Sequence, residues 1–279
     1  MPGAIDLRAR PPAGEFLQQR MFTSPGAMAA KLRRRGFEIP PSVEQRSLPL
    51  FFEEMTRAGV ETAVLAARAP NDLIGGTSNE SVAELVRTHP DRFLGIGSLR
   101  LTPADAEADL DTCQELGFIG VAVEPGMADP PMHADDPDLY PVYEQIDATG
   151  FPVFVTGGDA NPDISYAFPA ALDRVARDFS SLEVVSVHGG WPFVTETLGV
   201  AWRRPNFWVM PDLYWANLPG RSDYTLAANG FLMDRMLFAT SYPAVNVEQY
   251  VTSLKSAGLS EAAWQAISVD NPRRLLGLG

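Results

Sequence analysis

The sequence predicts an α/β fold with a parallel sheet, on three observations. Short apolar runs of strand length alternate with amphipathic stretches of helix length along almost the whole chain. Eight such strands are present, and eight parallel strands are the number that closes a (β/α)8 barrel. The 279 residues are enough for one such barrel. A doubly wound sheet has the same alternation and is the alternative.

The strands are predicted from short apolar runs, and the helices from apolar positions spaced three or four residues apart. The predicted strands cover residues 4–7, 60–66, 93–98, 119–123, 152–155, 184–187, 207–210 and 236–239. Helices between them are predicted over residues 81–88, 105–116, 139–148 and 166–179. Gly59, Gly117 and Gly150 stand where helices should end before a strand, because glycine readily adopts the left-handed conformation of a helix C-cap.

Residues 13–47 depart from this regular alternation, since they separate the first strand from a helix that begins near Leu48. Long insertions between elements are typical of lids and binding segments. This one carries the consecutive basic residues Arg33, Arg34 and Arg35. We predict one barrel domain over residues 1–279, with residues 13–47 as an inserted lid. The alternative for this segment is a short surface helix with a solvated charged face.

The composition narrows the classes of function. Hydrophobic residues make up 46 % of the chain, which is enough apolar material for one large core. The formal net charge of −13 argues against a nucleic-acid partner, because phosphate binding needs a basic surface. No signal peptide or membrane span is visible, so we expect a cytoplasmic protein without a membrane partner. The single cysteine, Cys113, excludes a disulfide framework and a thiolate zinc site, and we expect it to be buried.

Motifs along nearly the whole chain resemble those of a known family. In chain order they are Asn79-Glu80, His89-Pro90-Asp91-Arg92-Phe93, Leu116-Gly117-Phe118-Ile119-Gly120-Val121, Leu139-Tyr140-Pro141-Val142-Tyr143-Glu144, Pro152-Val153-Phe154-Val155, His188-Gly189-Gly190-Trp191-Pro192 with Glu196, Pro205-Asn206, Asp212-Leu213, Phe238-Ala239-Thr240-Ser241-Tyr242-Pro243 and Asn271-Pro272-Arg273-Arg274-Leu275-Leu276-Gly277. Their order and spacing resemble the amidohydrolase superfamily, in the amidohydrolase-related branch that contains aromatic-acid and muconate decarboxylases. The resemblance implies a TIM barrel with its reactive groups at the C-terminal ends of the strands.

The family's metal site is where this chain departs from the resemblance. The family holds its metal with a His-x-His on strand one, histidines that end strands five and six, and an aspartate that ends strand eight. The residues at these positions here are Arg8, Arg10, Thr156, His188 and Ser241. Arginine has no lone pair for a metal, and hydroxyl groups are poor replacements for imidazole and carboxylate. We therefore expect no bound metal and no other cofactor.

Arg8 and Arg10 lie two residues apart on a predicted strand, so their side chains leave the same face, which in a barrel is the interior. Buried guanidinium groups require anions, because an unpaired buried charge is very costly. The two side chains could form a fork for a substrate carboxylate or a developing oxyanion. They could instead form a salt-bridge plug with Asp6, Glu124 or Asp212.

Three further residues are candidates for acid–base chemistry. His188 ends the predicted sixth strand, and its imidazole could act as an acid or base near neutral pH, although a structural histidine is the alternative. Glu124 ends the fourth strand and could act as a base or pair with an arginine. Asp212 follows the seventh strand and could orient His188 or cap a turn.

The remaining candidates would contact the substrate. We expect the hydroxyl groups of Thr156 and Ser241 to bind it, and no G-x-S-x-G motif supports Ser241 as a nucleophile. Four aromatic residues near strand ends could wall a pocket for a flat ring, or pack in the core instead. These are Trp191, Tyr214, Trp215 and Tyr242.

The sequence thus predicts a metal-independent hydrolase of a small anionic substrate, such as a cyclic or aromatic lactone, ester or activated ketone. A lactonase of the same branch, which hydrolyses an ester-like bond without a metal, motivates this choice. The first alternative is a metal-independent lyase, either a decarboxylase or a hydratase, acting on an aromatic or unsaturated acid. The second is a catalytically inactive barrel that binds a ligand or serves assembly. The resemblance also suggests a homodimer.

Overall fold

Seven parallel strands follow one another in chain order in the computed structural model, which describes residues 3–71, 74–158 and 161–279. Each strand pairs with the next one along the chain. The strands are β1 (Ala4–Ala9), β2 (Val60–Ala66), β3 (Phe93–Ser98), β4 (Val121–Val123), β5 (Val153–Thr156), β6 (Val184–Val187) and β7 (Phe207–Met210).

Residues 236–242 close the barrel between β7 and β1. Met236 forms a parallel bridge with Val209, and Tyr242 forms one with Ala9. The backbone N–H of Leu7 also donates to the carbonyl oxygen of Phe238 at 3.2 Å. These contacts confirm the barrel over the doubly wound sheet. The predicted eighth strand, 236–239, is an irregular segment rather than a regular strand.

Helices connect the strands and cover the outside of the barrel. They are α1 (Arg20–Thr23), α2 (Pro25–Arg34), α3 (Pro41–Glu44), α4 (Leu48–Arg57), α5 (Asn79–Thr88), α6 (Pro103–Glu115), α7 (Tyr140–Thr149), α8 (Ala170–Asp178), α9 (Val194–Arg203), α10 (Arg221–Ala228), α11 (Val247–Ser256), α12 (Glu261–Gln265) and α13 (Asn271–Leu275). The helix predicted over residues 166–179 begins later, at Ala170, because Ile164–Ala167 forms a separate 3-10 turn. Gly59, Gly117 and Gly150 have φ values of 75°, 71° and 75°, as their predicted C-cap positions require. No helix in the described residues is long and apolar enough to span a bilayer.

Residues 13–47, hereafter the cap segment, fold into a 3-10 turn (Gly14–Gln18) and the helices α1, α2 and α3. The segment is anchored by buried apolar side chains, among them Phe16, Phe22 and Leu32. The exposed residues Arg33 and Arg34 fit the alternative of a solvated charged face, but the opposite face of α2 lines a cavity described below. That the segment moves as a lid stays a prediction.

Two apolar layers form the core. The inner layer fills the barrel with side chains from successive strands, including Leu7, Val64 and Phe154. The outer layer packs the strands against the helices and contains Cys113. Burial raises the pKa of the Cys113 thiol to about 12, so the residue is the buried apolar side chain that the sequence predicts.

Candidate active site

A cavity of about 460 Å³ lies at the C-terminal ends of the strands, beside the cap segment. Its wall contains three methionines and Tyr214, which supply apolar surface, together with His188 and Thr156. None of the described residues that line it is acidic. Six of them are basic, namely Arg8, Arg10, Arg20, Lys31, Arg35 and Arg68. The cavity is therefore suited to an anion, although the protein as a whole is strongly acidic.

A β-bulge in β1 directs the first two arginines into this cavity. Asp6 pairs with Ala63 and Ala9 with Leu65, so three steps along β1 match only two along β2. The extra residue changes which side chains face inward. Strict alternation would put Leu7 and Arg8 on opposite faces, yet both line the interior. Arg8 and Arg10 share one face, as the sequence predicts.

Arg8 lies at the centre of the site and contacts residues from three other strand ends. Its Nη1 donates to Ser241 Oγ at 2.7 Å. The same atom lies 3.3 Å from His188 Nε2 and 3.5 Å from Asp212 Oδ2. Burial lowers the pKa of Arg8, and the negative charge of Asp212 opposes this effect. The positive charge of Arg8 thus lies between two side chains that follow β6 and β7 and one side chain of the closing segment, residues 236–242.

His188 and Asp212 form a hydrogen-bonded pair behind the cavity wall. His188 Nδ1 lies 2.9 Å from Asp212 Oδ1. Because the guanidinium group of Arg8 can only donate, the Nε2 atom that faces it accepts, and the imidazole proton lies on Nδ1. Burial lowers the pKa of His188; Asp212 opposes this effect and Arg8 adds to it. Asp212 keeps a lowered pKa because His188 and Arg8 outweigh the effect of its burial. His188 is therefore a neutral imidazole whose Nε2 lone pair faces Arg8, and this lone pair can accept a proton when Arg8 donates to an anion instead.

The backbone at these strand ends takes an unusual conformation. His188, Asp212 and Ser241 have φ values of 68°, 43° and 51°, in the left-handed region that non-glycine residues rarely adopt. They are three of the four such residues in the described part of the chain. Strained residues of this kind cluster at functional sites, where the surrounding structure holds them in place. Here all three turn their side chains towards Arg8.

The imidazole of His188 is also fixed by packing. A Cβ atom at Gly158 would lie 3.0 Å from its Cδ2, so only glycine allows the loop after β5 to approach this closely. The ring of Tyr214 contacts the imidazole edge to face, with centroids 5.1 Å apart. Trp191 stacks on Tyr214 at 4.9 Å. The base is therefore held in one orientation before a substrate binds.

Arg68 is a site residue that the sequence analysis missed. Its Nη2 donates to Glu124 Oε1 at 2.6 Å, so Glu124 pairs with this arginine rather than with Arg8 or Arg10. Arg68 follows the end of β2 and looks like a loop residue in the sequence. Val64 lies on the inner face of β2, and continuing its alternation through residue 66 would have placed Arg68 inside the barrel.

Four of the six predicted substrate-binding residues do not line the cavity. Ser241 is fully buried behind Arg8, where its hydroxyl donates to Asp212 Oδ2 at 2.7 Å and accepts from Arg8. Trp215 lies in the core and donates to Thr225. Tyr242 also lies in the core, with its hydroxyl group bonded to Glu54 at 3.2 Å.

Trp191 contributes only indirectly, because it packs behind Tyr214 and donates to the carbonyl oxygen of Pro219 at 3.1 Å. Thr156 and Tyr214 do line the cavity. The predicted aromatic pocket therefore reduces to the single ring of Tyr214, since the other three rings do not line the cavity.

The family model described as amidohydrolase matches residues 5–278. This chain belongs to the amidohydrolase family. It is 23 % identical over 332 aligned positions to the gamma-resorcylate decarboxylase of Rhizobium radiobacter, and the alignment covers 100 % of this chain and 99 % of the relative. Among solved structures, an uncharacterized TIM-barrel protein from Bordetella bronchiseptica shares 43 % identity with a TM-score of 0.94, over 98 % of each chain. A dihydroxybenzoic acid decarboxylase from Polaromonas, solved with bound manganese, has the same fold with 20 % identity and a TM-score of 0.68, over 100 % of this chain and 98 % of that one.

The residues of this family member do not fit the family's metal ion. Arg8 Nη1 lies within hydrogen-bond distance of His188 and Ser241, which stand at two of the family's ligand positions. Throughout the described ranges, no group of three or more histidine, cysteine, aspartate or glutamate side chains could hold a metal. A guanidinium cation would also repel a metal ion placed beside it.

Proposed function

We propose that this protein is a lyase that acts on a small carboxylate-bearing molecule without a metal ion. The observation that carries the proposal is the contact of one guanidinium group, that of Arg8, with His188, Asp212 and Ser241 on the floor of a cationic cavity. The decarboxylases among its relatives support lyase chemistry more than the hydrolysis that the sequence first suggests.

Arg8 and Arg10 would stabilise the charge that develops during the reaction. Among the described residues, the guanidinium group of Arg10 makes one hydrogen bond, from Nη1 to the carbonyl oxygen of Ser241 at 3.3 Å, so its other donors are available to a substrate. When a carbon–carbon bond to a carboxylate breaks, its electron pair moves into an enolate, whose oxygen needs a positive partner. Fixed donors in a water-poor cavity provide that partner without reorganisation.

His188 would carry the proton. In decarboxylation, CO2 leaves and the carbon of the enolate takes up one proton, which Nε2 of His188 can relay from water. Asp212 stabilises the imidazolium that forms briefly and keeps Nδ1 protonated. Decarboxylation is the reaction we favour, because two of the three relatives named above are decarboxylases.

The neutral state of His188 favours a second candidate, the hydratase reaction. In the direction of dehydration, Nε2 removes a proton next to a carbonyl group, and the electron pair forms the enolate. The departing hydroxide then takes the proton back from His188, so that water is released and no net proton is consumed. One base is enough for this sequence.

The experiment is an assay of the purified protein on phenolic and unsaturated carboxylic acids, before and after dialysis against a strong chelator. We expect CO2 release, or hydration without CO2, that survives chelation, and a loss of about 100- to 1,000-fold in kcat for Arg8→Met. Activity that disappears with the chelator and returns with manganese would overturn the metal-independent part of the proposal. Proton release without CO2 on lactones and esters would point back to hydrolysis. Absence of both turnover and carboxylate binding would favour the inactive barrel.

A further inference from the structure

Arg68 carries a buried hydrogen-bond donor that none of the described residues satisfies. The side chain is 5 % exposed, and its Nη2 is bound to Glu124. Its Nη1 is buried without a hydrogen-bond partner. The backbone is fixed by a pair of hydrogen bonds with Thr77, at 2.9 and 3.0 Å. An unsatisfied buried donor on a charged group costs on the order of 1–3 kcal/mol or more, so it requires an explanation.

The inner end of the cavity has more positive charge than the described residues neutralise. Arg8 pairs with Asp212, and Arg68 pairs with Glu124. Arg10 is also buried, and among the described residues no carboxylate lies within 4.0 Å of its guanidinium group. Burial, together with the positive charges of Arg8 and Arg68, lowers the pKa of Arg10 well below its usual value. One full positive charge and the free donor of Arg68 are therefore left for a ligand.

A second unsatisfied donor lies in the same cavity wall. Asn161, which follows the loop after β5, has a buried Nδ2 without a partner. Gly126 allows this side chain to approach, because a Cβ atom there would lie 2.7 Å from Asn161 Cγ. Two unsatisfied donors in a cavity without acidic side chains, in the described part of the chain, indicate a ligand with several acceptor oxygens.

From this geometry we infer that Arg68 determines specificity by binding a second carboxylate of the substrate, so that the substrates are dicarboxylates. One carboxylate or its enolate oxygen would face Arg8 and Arg10, where the reaction occurs. The other would accept from Nη1 of Arg68. Glu124 is then a positioning residue, because its contact with Nη2 fixes the plane of the guanidinium group. A volume of about 460 Å³ holds a single-ring or short-chain dicarboxylate.

The inference deepens the proposed function and rests on it for the reaction, but its test measures binding alone. The full-length protein is titrated calorimetrically with phthalate, isophthalate, terephthalate, maleate and fumarate, and with benzoate and acrylate as the matching monocarboxylates. We expect at least one dicarboxylate to bind ten or more times as tightly as its matching monocarboxylate. A charged hydrogen bond is worth about 1.5–3 kcal/mol, which corresponds to about 10- to 150-fold in affinity.

Variants then assign this preference to Arg68. The double variant Arg68→Gln/Glu124→Gln removes the ion pair without leaving a buried charge. Its affinity should fall about 10- to 100-fold for the preferred dicarboxylate but less than threefold for the matching monocarboxylate. Arg68→Lys keeps the positive charge beside Glu124 but replaces the planar guanidinium group by a single ammonium group. Its affinity for the preferred dicarboxylate should fall about tenfold. Arg33→Gln, an exposed residue of α2 outside the cavity, is the matched control and should bind as the wild type does.

Three results would overturn the inference: equal affinity for the two classes of acid, equal losses for both classes in the variants, or no binding of any dicarboxylate at millimolar concentration. If the double variant does not fold, Arg68→Lys decides alone. Dicarboxylate binding that depends on Arg68, in a protein that shows no lyase activity, would leave this inference standing and reject the proposed function.

Discussion

At the scale of single residues, Arg8 shows how one substitution changes the chemistry available to a barrel. Its guanidinium group contacts residues from three other strand ends, and it is cationic at any working pH. It can stabilise an oxyanion, but it cannot convert a bound water into hydroxide, as a metal ion does. In the proposed reaction, proton transfer is assigned to His188, whose lowered pKa keeps the imidazole unprotonated at neutral pH.

Asp212 contacts both Arg8 and His188, and the variant Asp212→Asn tests how far the two side chains depend on its carboxylate. The amide would remove the negative charge that both Arg8 and His188 face. We expect kcat to fall about 100- to 10,000-fold, because the imidazolium loses its partner. KM should not rise, because Asp212 lies outside the cavity wall and its loss leaves Arg8 more attractive to an anion.

The Asp212→Asn protein should also be less stable than the wild type. Arg8 would be left as a buried charge without a carboxylate, which costs about 3–5 kcal/mol in the free energy of unfolding, as measured with urea. Asp111→Asn, at an exposed position of α6, is the control and should change neither quantity. Wild-type kcat in a folded Asp212→Asn protein would show that the pair with His188 has no catalytic role.

At the scale of residues, the sequence predicted only part of the candidate site. Arg8, Arg10, Thr156 and His188 all line the cavity at the predicted strand ends. Arg68 was missed because it stands two residues beyond the regular part of β2, where the sequence resembles a polar loop. Pairing across space, such as that of Arg68 with Glu124, leaves no mark in a single sequence.

At the scale of elements, strand prediction from apolar runs gave the observed bounds for four of the seven strands. The bounds of β2, β3, β6 and β7 are those predicted. The closing segment was predicted as a regular strand, but it is irregular, with bridges only at Met236 and Tyr242. The positive φ of Ser241 interrupts extended pairing there, and Pro243, which follows the bridge at Tyr242, has no N–H to donate. Neither this conformation nor the bulge in β1 can be seen from hydrophobic periodicity.

Helix α2 of the cap segment leads to a prediction about substrate capture. Lys31 lies on its cavity side, whereas Arg33 is exposed and does not line the cavity. Lys31→Gln should raise KM about two- to fivefold and leave kcat within twofold, because an exposed charge attracts the anion without contacting the reacting atoms. The increase should shrink above about 0.5 M salt, where the Debye length is only a few ångströms.

Arg33→Gln makes the same change of charge on the same helix and serves as the matched variant. Steady-state kinetics at low and high salt should distinguish the two substitutions. Equal changes in KM for both would mean that the overall charge of the helix matters and that the position of Lys31 does not. A change in kcat for Lys31→Gln alone would place this residue closer to the reaction than its exposure indicates.

At the scale of the whole molecule, the barrel encloses a cluster of positive charge within a protein of net charge −13. The barrel that holds this cluster is closed between β7 and β1 with the help of a buried carboxylate. Asp6 of β1 accepts from the backbone N–H groups of Arg8 at 3.1 Å and Thr240 at 2.9 Å. The hydroxyl of Thr240 donates to it at 2.5 Å. These bonds join the first strand to the closing segment.

Asp6 also makes the stability of the barrel depend on pH. Burial raises the pKa of its carboxyl group from 3.8 to about 6, although the hydrogen bonds from Thr240 and Arg8 oppose this effect. The folded state therefore binds the proton more tightly than the unfolded state does. The resulting stabilisation is fully present below pH 3.8 and is lost as the pH rises through about 6. A shift of about two pKa units corresponds to about 3 kcal/mol.

Asp6→Asn should remove this dependence, because the amide has the shape of the protonated acid and can keep its contacts. Its oxygen can accept from both N–H groups, and its Nδ2 can donate to the hydroxyl oxygen of Thr240, whose proton then turns to the carbonyl oxygen of Arg8 at 3.5 Å.

Relative to wild type, the free energy of unfolding of the variant should increase by about 2–3 kcal/mol between pH 4.5 and pH 8. Urea titrations at several pH values measure the difference. His188 acts in the opposite direction, since its lowered pKa weakens the folded state as the pH falls through about 6.5, but this effect is common to both proteins and cancels. A difference that does not change with pH would show that Asp6 ionises normally, and that the barrel closes around a charged carboxylate.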